Sequence, residues 1–336
     1  MKRTVLSYLV IAALAVSAVF MSCGAGIGGS SYKIKMTTEQ SEYGFDLFGS
    51  GVATVDWGDG SEKVSLTLNE QGVPFKHSYP NASIRTISIN GDNITGLDTG
   101  FGTSLDVSHC AELTMLRCGG QFTSLDVSNN TALTSLLVSR IQLTSLDVSK
   151  NTALTTLYVG GVQFTSLDVS KNTALTTLQM YEVPFTTLDV SKNTALTQLS
   201  INSSPLANLD VSKNIALTNL NCNNNQLTSL DVSKNTALTD LSCNNNQLTS
   251  LDVSKNTALK QLSFGENKLT NLDVSKNTAL EYLSFPYNQF DATALNTVFS
   301  ALVNRQRGQL RIIGNPEARD CDATIATNKG WRFLSN

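Results

Sequence analysis

The segment LTNLNCNNNQLTSLDVSKNTA, residues 217–237, is one copy of a unit that recurs along most of the chain. Its Leu-Asp-Val-Ser core occurs nine times, and successive aspartates are 20 residues apart once and 21 residues apart thereafter. These aspartates are Asp106, Asp126, Asp147, Asp168, Asp189, Asp210, Asp231, Asp252 and Asp273. A repeat of this length is a supersecondary unit that cannot bury its apolar face alone. The sequence therefore predicts a solenoid of stacked copies.

The first half of the unit has the pattern of a strand with one buried face. Leu220 and Cys222 alternate with polar residues, and Leu136 and Val138 fill the same slots in an earlier copy. Alternation with a period of two is typical of such strands. Nine stacked strands about 4.8 Å apart predict a parallel sheet roughly 40 Å long, which can hold a macromolecule.

Asparagine recurs three residues after the valine of every Leu-Asp-Val segment except the first, where Cys110 takes its place. The set is Asn130, Asn151, Asn172, Asn193, Asn214, Asn235, Asn256 and Asn277. We expect these side chains to donate to and accept from the neighbouring coil, because a sharp bend leaves backbone groups without a sheet partner. A matching slot in the first half of the unit holds asparagine only in the last four copies, at Asn225, Asn246, Asn267 and Asn288. The front bend is therefore predicted to become wetter and more polar toward the C-terminal end.

These patterns resemble the leucine-rich repeat family, and within it the bacterial 21-residue class named IRREKO, whose consensus is LxxLxLxxNxLxxLDLxxNxx. The match covers residues 102–290, and we assign residues 96–290 to the repeats. The resemblance implies a β-rich solenoid, a horseshoe whose parallel sheet lines the concave side and whose LDVSKN segments form the convex back. The first unit lacks one residue near positions 118–122.

The outward positions of the strand segment differ between copies, whereas the back segment TSLDVSKNTA is almost constant. Tyrosine and arginine, which are enriched in binding hot spots, occur among the variable positions. The predicted ligand-binding residues of the concave face are Arg140, Tyr158, Gln179, Tyr181, Glu182, Lys260, Tyr282 and Tyr287. We interpret this face as a surface for a protein or glycan; the alternative is drift at solvated positions.

The back pairs a row of aspartates with a row of lysines three residues later, as in Asp168 and Lys171, in every copy but the first two, so that charge nearly cancels. A calcium site requires several oxygens that converge, and interleaved ammonium groups oppose cation binding. We therefore predict neither a metal nor a cofactor.

The N-terminus has the features of a secretory signal. Met1-Lys2-Arg3 precedes an apolar run, and Ser22 precedes Cys23. Phe20-Met21-Ser22-Cys23 resembles the bacterial lipobox, which implies cleavage after residue 22 and a lipid on Cys23. Residues 23–31 then form a small-residue linker that tethers the chain to the outer membrane or cell surface, facing outward or into the periplasm. Ordinary signal cleavage and an uncleaved anchor are the alternatives.

Residues 32–95 lack the repeat. Apolar and polar residues alternate there in the stretches 32–36, 52–57, 64–68 and 84–89. They predict a small antiparallel β unit. The WGDGS turn at 57–61 and the later His77-Ser78-Tyr79 resemble the polycystic-kidney-disease (PKD) β-sandwich, and we expect this unit to cover the first coil. Asp56, Asp59 and Glu62 could suggest a calcium loop, but the EF-hand spacing is absent.

Residues 291–336 are predicted to form a C-terminal cap with a helix over 291–304, which Asp291 caps, and a strand over 309–313. A solenoid needs such a cap because an open last coil exposes core and strand edge.

Composition and chemistry argue against two classes of function. The formal net charge is -3 and no basic stripe occurs, which disfavours a nucleic-acid partner. The only histidines are His77 and His109, and neither accompanies a nucleophile in the sequence pattern, so we predict no enzymatic activity. Cys118, Cys222 and Cys243 fill apolar strand slots, and we predict that they are unpaired core thiols.

The sequence thus predicts a non-enzymatic binding protein of the cell envelope, in the manner that a resemblance to internalin-like adhesins implies. Its contact with the membrane would be through the N-terminal lipid only. The alternative is an envelope scaffold that joins other envelope proteins.

Overall fold

Antiparallel strands form the N-terminal part of the structure, a computed structural model that describes residues 32–334. The strands are β1 (Ile34–Thr38), β2 (Glu42–Asp56), β3 (Val64–Thr67), β4 (Val73–Ser78), β5 (Arg85–Gly102) and β6 (Ser104–Asp106). Strand β2 pairs with β3, β4 and β5, and β1 pairs with β5 and β6. The predicted antiparallel pairing is therefore present. The alternating stretches of the sequence do not include β4, which buries only Phe75, or the first half of β2, which bulges near Gly49.

Strand β5 passes through the domain boundary predicted after residue 95. Its first half pairs with β1 and β2, and residues 96–99 pair in parallel with the first repeat strand, where Leu97 faces Leu116. The N-terminal strands and the repeats therefore share one sheet. This pairing covers the strand edge of the first coil, which is the role we expected of the N-terminal unit.

The WGDGS segment forms a closed polar turn, and its Trp57 ring stacks on His77. Backbone N–H groups of Gly58 and Ser61 donate to the carboxylates of Asp56 and Asp59, at 3.0 Å each. Asp59 Oδ2 also lies 2.8 Å from His77 Nε2. These contacts hold the pKa of Asp59 well below its usual range, and both carboxylates are occupied by the turn.

One short parallel strand per repeat continues the sheet. These strands are β7 (Met115–Gly120), β8 (Ser135–Ser139), β9 (Thr156–Gly160), β10 (Thr177–Tyr181), β11 (Gln198–Asn202), β12 (Asn219–Asn221), β13 (Asp240–Ser242), β14 (Gln261–Ser263) and β15 (Tyr282–Ser284). Each pairs in parallel with the next along the chain. Their leucines and the Leu and Val side chains of the back segment belong to one continuous core. The predicted solenoid with a parallel sheet is confirmed.

The asparagines of the back bend form a ladder between coils. Asn151 Nδ2 donates to the carbonyls of Val127 and Asn130, both at 2.9 Å. The same two bonds recur at every one of the eight positions, whose side chains are buried. The prediction is confirmed for donation only, because the Oδ1 atoms accept no hydrogen bond among the described residues.

A second ladder occupies the front bend of the later coils. Asn246 Nδ2 donates to Cys222 O and Cys243 O, at 2.9 and 3.1 Å, while its Oδ1 accepts from Leu227 N at 3.0 Å. Asn225, Asn267 and Asn288 repeat this pattern. The predicted increase in polarity toward the C-terminal end is confirmed. The prediction that this bend is also wetter was wrong, because these amides are buried and bond to backbone groups.

The aspartates of the back close local turns. In each repeat, as in Asp147 and Ser149, the carboxylate accepts from the backbone N–H two residues later at 2.8–2.9 Å. This bond is the main cause of the lowered pKa of Asp147 and of the six aspartates that follow it in the row. Within residues 32–334, no three acidic, histidine or cysteine side chains are arranged to hold a metal ion.

The C-terminal cap contains helix α1 (Ala292–Ala301), strand β16 (Gly308–Arg311), helix α2 (Thr324–Thr327) and strand β17 (Trp331–Phe333). Asp291 caps α1 by accepting from Ala294 N at 2.8 Å, as predicted, and β16 confirms the predicted strand. Asn315 extends the front ladder into the cap, since its Nδ2 donates to Phe285 O at 3.1 Å. Among the helices of residues 32–334, none is both long enough and apolar enough to cross a membrane.

Replacement of a ladder asparagine should destabilise the stack. Asn193→Ala removes both donors to the buried carbonyls of Val169 and Asn172, and we expect it to lower the free energy of unfolding by about 2–3 kcal/mol. The control Asn271→Ala changes an exposed asparagine with only a local side-chain bond, and should cost less than about 0.5 kcal/mol. Urea unfolding measures both. Equal effects would contradict the ladder.

The lowered pKa values of the back aspartates predict sensitivity to acid. A carboxyl with a lowered pKa in the folded state stabilises that state above its unfolded value of about 3.9, and the contribution is lost as pH falls below it. We therefore expect constant stability from pH 7 to about 5 and a decline below about pH 4.

The triple variant Asp168→Asn, Asp189→Asn and Asp210→Asn should show a shallower decline, since each new amide oxygen can accept from serine but does not titrate. Thermal unfolding across this pH range measures the effect. The control is Asp320→Asn, outside the row, which should leave the profile unchanged. An unchanged profile in the triple variant would contradict the assignment.

Candidate functional site: the concave face

Side chains that alternate with the buried leucines form rows across the parallel strands. These rows define what we call the concave face. The central row is Tyr158, Gln179, Ser200, Asn221, Ser242 and Ser263. The adjacent row is Thr156, Thr177, Gln198, Asn219, Asp240, Gln261 and Tyr282. Neighbours in a row are about 4.8 Å apart, the spacing of paired strands.

The structure divides the predicted site residues among three positions. Tyr158, Gln179, Tyr181 and Tyr282 lie within strands, on the side opposite the buried leucines. Lys260 lies just before β14, in a column that threonines fill in most other coils.

The remaining three predicted residues lie at the bend after the strand, although the sequence pattern placed them on it. Arg140, Glu182 and Tyr287 have left-handed backbone, with φ of 52°, 52° and 53°. The same conformation recurs at Gly161, Ser203, Asn224, Asn245 and Glu266. One residue per coil therefore turns the chain out of the strand, and its side chain borders the concave face.

Four of the predicted residues form a cluster that we call the edge patch: Arg140, Tyr158, Tyr181 and Glu182. Burial is the main cause of the raised pKa of Tyr158, to which Tyr181 and Glu182 add and which Arg140 opposes. Gly160 makes room for the Tyr158 ring, because a Cβ there would lie 2.9 Å from the Tyr158 hydroxyl. Tyr181 is 44% exposed. The patch combines aromatic area with both signs of charge.

A polar groove adjoins the edge patch and has a volume of about 530 Å³. It is lined by Gln179, Gln198, Ser200, Asn219, Asn221, Asp240, Ser242, Gln261, Ser263 and Tyr282, together with Leu199, Leu220 and Leu241. Gln179 and Tyr282 are the only predicted ligand-binding residues among its lining; the other lining residues were not predicted to bind the ligand. Their signal was present in the sequence, as polar residues in the same slots of successive copies.

Asparagine side chains fix the floor beside this groove. Asn223 Oδ1 accepts from Asn244 N at 2.6 Å and from Ser242 Oγ at 2.9 Å. One coil later, Asn244 Oδ1 accepts from Gly265 N at 2.6 Å and from Ser263 Oγ at 2.8 Å. In these coils the strands are three residues long, and side-chain bonds continue the ladder where backbone pairing ends.

The chemistry of the groove is hydrogen bonding. Its lining offers amides, hydroxyls and one carboxylate, that of Asp240. Glycoside hydrolysis requires two carboxyl groups that face each other across the substrate. His77 and His109 line no part of the groove, since His77 contacts Asp59 and His109 contacts Ser108 and Tyr32.

Solved structures share this architecture. The functional domain of InlJ from Listeria monocytogenes, which includes a cysteine ladder, is 30% identical with a TM-score of 0.57, over 76% of this chain and 63% of that chain. The fold is that of a leucine-rich repeat protein. The chain spans slightly less than two thirds of the InlJ domain. An internalin, InlF, of the same organism is 18% identical with a TM-score of 0.48, over 72% of this chain and 87% of that chain.

Two further comparisons give no match. No protein-family model matches the sequence, and no curated protein matches it. The leucine-rich repeat fold is supported by the geometry of the repeats and by the likeness to the InlJ domain.

Cysteines of this chain also stack, at one pair of adjacent coils. Cys222 and Cys243 occupy the same slot one repeat apart, and both are buried and unpaired, as predicted. Burial raises the pKa of Cys118 and Cys222 to about 12, and that of Cys243 well above its usual value.

We expect Cys118, Cys222 and Cys243 to resist iodoacetamide in the folded protein, because the thiolate is the nucleophile and burial suppresses it. Cys321 is partly exposed and should be labelled first among the cysteines of residues 32–334. Peptide mass mapping with and without urea measures the order. Rapid labelling of Cys222 or Cys243 without urea would contradict their burial.

Proposed function

We propose that this chain is a non-enzymatic binding protein of the cell envelope, whose concave face recognises a protein or glycan in an adhesin-like manner. The observation that carries the proposal is the location of the variable side chains. The edge patch and the groove lie on the sheet face and its border, whereas the back repeats nearly the same residues in every coil. Solenoids of this kind use their extended concave surfaces for binding.

The edge patch supports recognition of a protein. Aromatic residues and arginine are enriched at protein interfaces, where aromatic rings supply large contact areas. Tyr158 is half-buried and therefore held in place, while Tyr181 is exposed. Arg140 and Glu182 flank them and would select for charge on the partner.

Attachment to the envelope is part of the proposal. The signal peptide (1–22), the lipid on Cys23 and the linker (23–31) lie outside the described residues and rest on the sequence. A PKD-like nature of residues 32–95 is supported by the closed turn at Asp56 and Asp59 and by the Trp57–His77 stack, whose ring centroids are 4.9 Å apart. The proposed location is the outer membrane or cell surface.

An envelope scaffold is the alternative, and the uniform back favours it. That surface presents nearly identical turns at 21-residue intervals, each built on an aspartate such as Asp168 or Asp189. A scaffold would join envelope proteins through such repeated sites and would need no contact with the outside.

Protease treatment of intact cells, followed by blotting for the repeats, separates these roles. A periplasmic protein serves as the lysis control. Loss of the repeats is expected for the adhesin-like role, because its ligand must reach the concave face from outside. Full protection would exclude that role and favour the scaffold.

Removal of the two edge-patch tyrosines should weaken binding without unfolding the chain. For Tyr158→Ala with Tyr181→Ala, we expect at least a roughly tenfold loss of binding to the ligand-bearing cells or envelopes, because hot-spot aromatics each contribute about 1–2 kcal/mol or more. The control is Ile215→Ala, which truncates a 62% exposed side chain on the back. Pull-down of the full chain measures binding, and unchanged affinity in the double variant would contradict the edge patch.

A further inference from the structure

The polar groove has a different chemistry from the edge patch. Its lining is dominated by glutamine, asparagine and serine, with Tyr282 at one end. We propose that the groove between Gln179 and Tyr282 binds a neutral oligosaccharide. This inference rests on the proposed binding role of the concave face and names the ligand class of this part of it.

Several polar groups of the groove are free to bind a ligand. The side-chain amides of Gln179, Gln198 and Gln261, the Asn221 amide nitrogen and the Tyr282 hydroxyl make no hydrogen bond within the described part of the chain. Each glutamine amide offers two donors and a carbonyl acceptor. A sugar hydroxyl also donates and accepts, so that adjacent hydroxyls can pair with adjacent amides in a row.

The floor of the groove is already ordered. Ser242 and Ser263 donate to Asn223 and Asn244, which in turn accept from backbone N–H groups of the next coil. These side chains lose little further freedom when a ligand binds. Preorganisation of this kind increases affinity because the cost of ordering side chains is reduced.

The dimensions of the groove suit an extended chain of sugars. It crosses the six strands from β10 to β15, a length of about 24 Å at the spacing of paired strands. A pyranose unit in an extended glycan advances about as far as one coil, so that successive sugars meet equivalent side chains. The Tyr282 ring can stack on the apolar face of a terminal sugar.

Charge favours a neutral ligand. The only charged lining residue is Asp240, whose Oδ2 already accepts from Thr239 Oγ1 at 2.6 Å and from Asn219 Nδ2 at 3.1 Å. Arg311 and Arg332 continue the rows past Tyr282 but lie outside the lining. An apolar protein side chain placed here would dehydrate amides without replacing their hydrogen bonds, which is unfavourable.

The experiment is affinity electrophoresis of the full chain, solubilised in detergent, in native gels that contain a neutral polysaccharide. The panel is an α-glucan, a β-glucan, a galactomannan and a xylan, with polygalacturonate as the anionic comparison. We expect at least one neutral polymer to retard the chain and polygalacturonate to have no effect at physiological salt.

Paired variants locate the site. Gln198→Ala with Gln261→Ala removes two free amides and should raise the dissociation constant about tenfold or more. The matched control, Gln226→Ala with Gln247→Ala, changes two exposed glutamines of the same part of the solenoid that lie beyond the front bend. It should stay within about twofold of the unmodified chain. Unchanged binding in the groove variant would overturn the assignment.

Failure of this inference is distinct from failure of the proposed function. Retardation by no neutral polymer, or by polygalacturonate alone, overturns the glycan assignment. If the Tyr158→Ala and Tyr181→Ala variant nevertheless loses binding to cells or envelopes, the concave face still binds, and its ligand is a protein or an anionic polymer. If neither the edge patch nor the groove binds a ligand, both the glycan assignment and the proposed function are wrong.

Discussion

The paired hydrogen bonds from each buried back-bend asparagine to the preceding coil hold the solenoid together. Each Nδ2 group, as in Asn214, donates to the carbonyl of a valine and to the carbonyl of the previous ladder asparagine, at 2.9–3.0 Å. The two carbonyls belong to turns, where no neighbouring strand can donate a hydrogen bond to them. Because the same bonds recur at a constant interval of 21 residues, every coil is placed on its predecessor in the same way. The register of the parallel sheet follows from this repetition.

Because the register is fixed, the outward side chains of successive strands line up and form one continuous concave face. Leu178, Leu199 and Leu220 stack in the core, and the residues between them are brought into line on the other side. The back and the bends carry the hydrogen bonds and the apolar contacts. The outward strand positions carry few of either, so that they can differ between coils at little cost in stability. This division explains why an edge patch with Tyr181 and a polar groove with Gln198 occur on one sheet.

The left-handed backbone at the bend after each strand is unfavourable in conformational free energy. A left-handed residue other than glycine is less stable than a right-handed one by roughly 1–2 kcal/mol. This conformation occurs at Arg140, Glu182 and Tyr287 because hydrogen bonds to the neighbouring coil hold the backbone there. One example is the bond from Glu182 N to Asn202 O. The strained positions are thus also those that place long side chains at the border of the concave face.

Much of the fold could be predicted because the period and the alternation are local properties of the sequence. The solenoid, the bend asparagines and the capped helix after Asp291 all follow from them. Strand β5 could not be placed, since no local signal shows that one strand pairs antiparallel in one half and parallel in the other. The left-handed bend could not be predicted in every coil either. Asparagine or glycine, which favour this conformation, occupy it in some coils, but Arg140 and Glu182 occupy it in others.

The candidate site was only partly predictable. Residue types typical of protein interfaces pointed to Tyr158 and Tyr181, and the structure brings these two together. Glutamine at a single outward position, such as Gln198 or Gln261, is a common surface residue. The sequence does not show that the stacked strands align these amides in one row. Rows of this kind depend on lateral neighbours, which come from different copies of the repeat.

The most direct test of a concave recognition surface is hydroxyl-radical footprinting of the full chain, in its native envelope with ligand present and after purification without it. The account predicts protection of Tyr158, Tyr181 and Tyr282 in the first state, with Ile215 on the back labelled equally in both. Equal labelling of the three tyrosines in both states, with protection confined to Ile215 and the back segments, would contradict it.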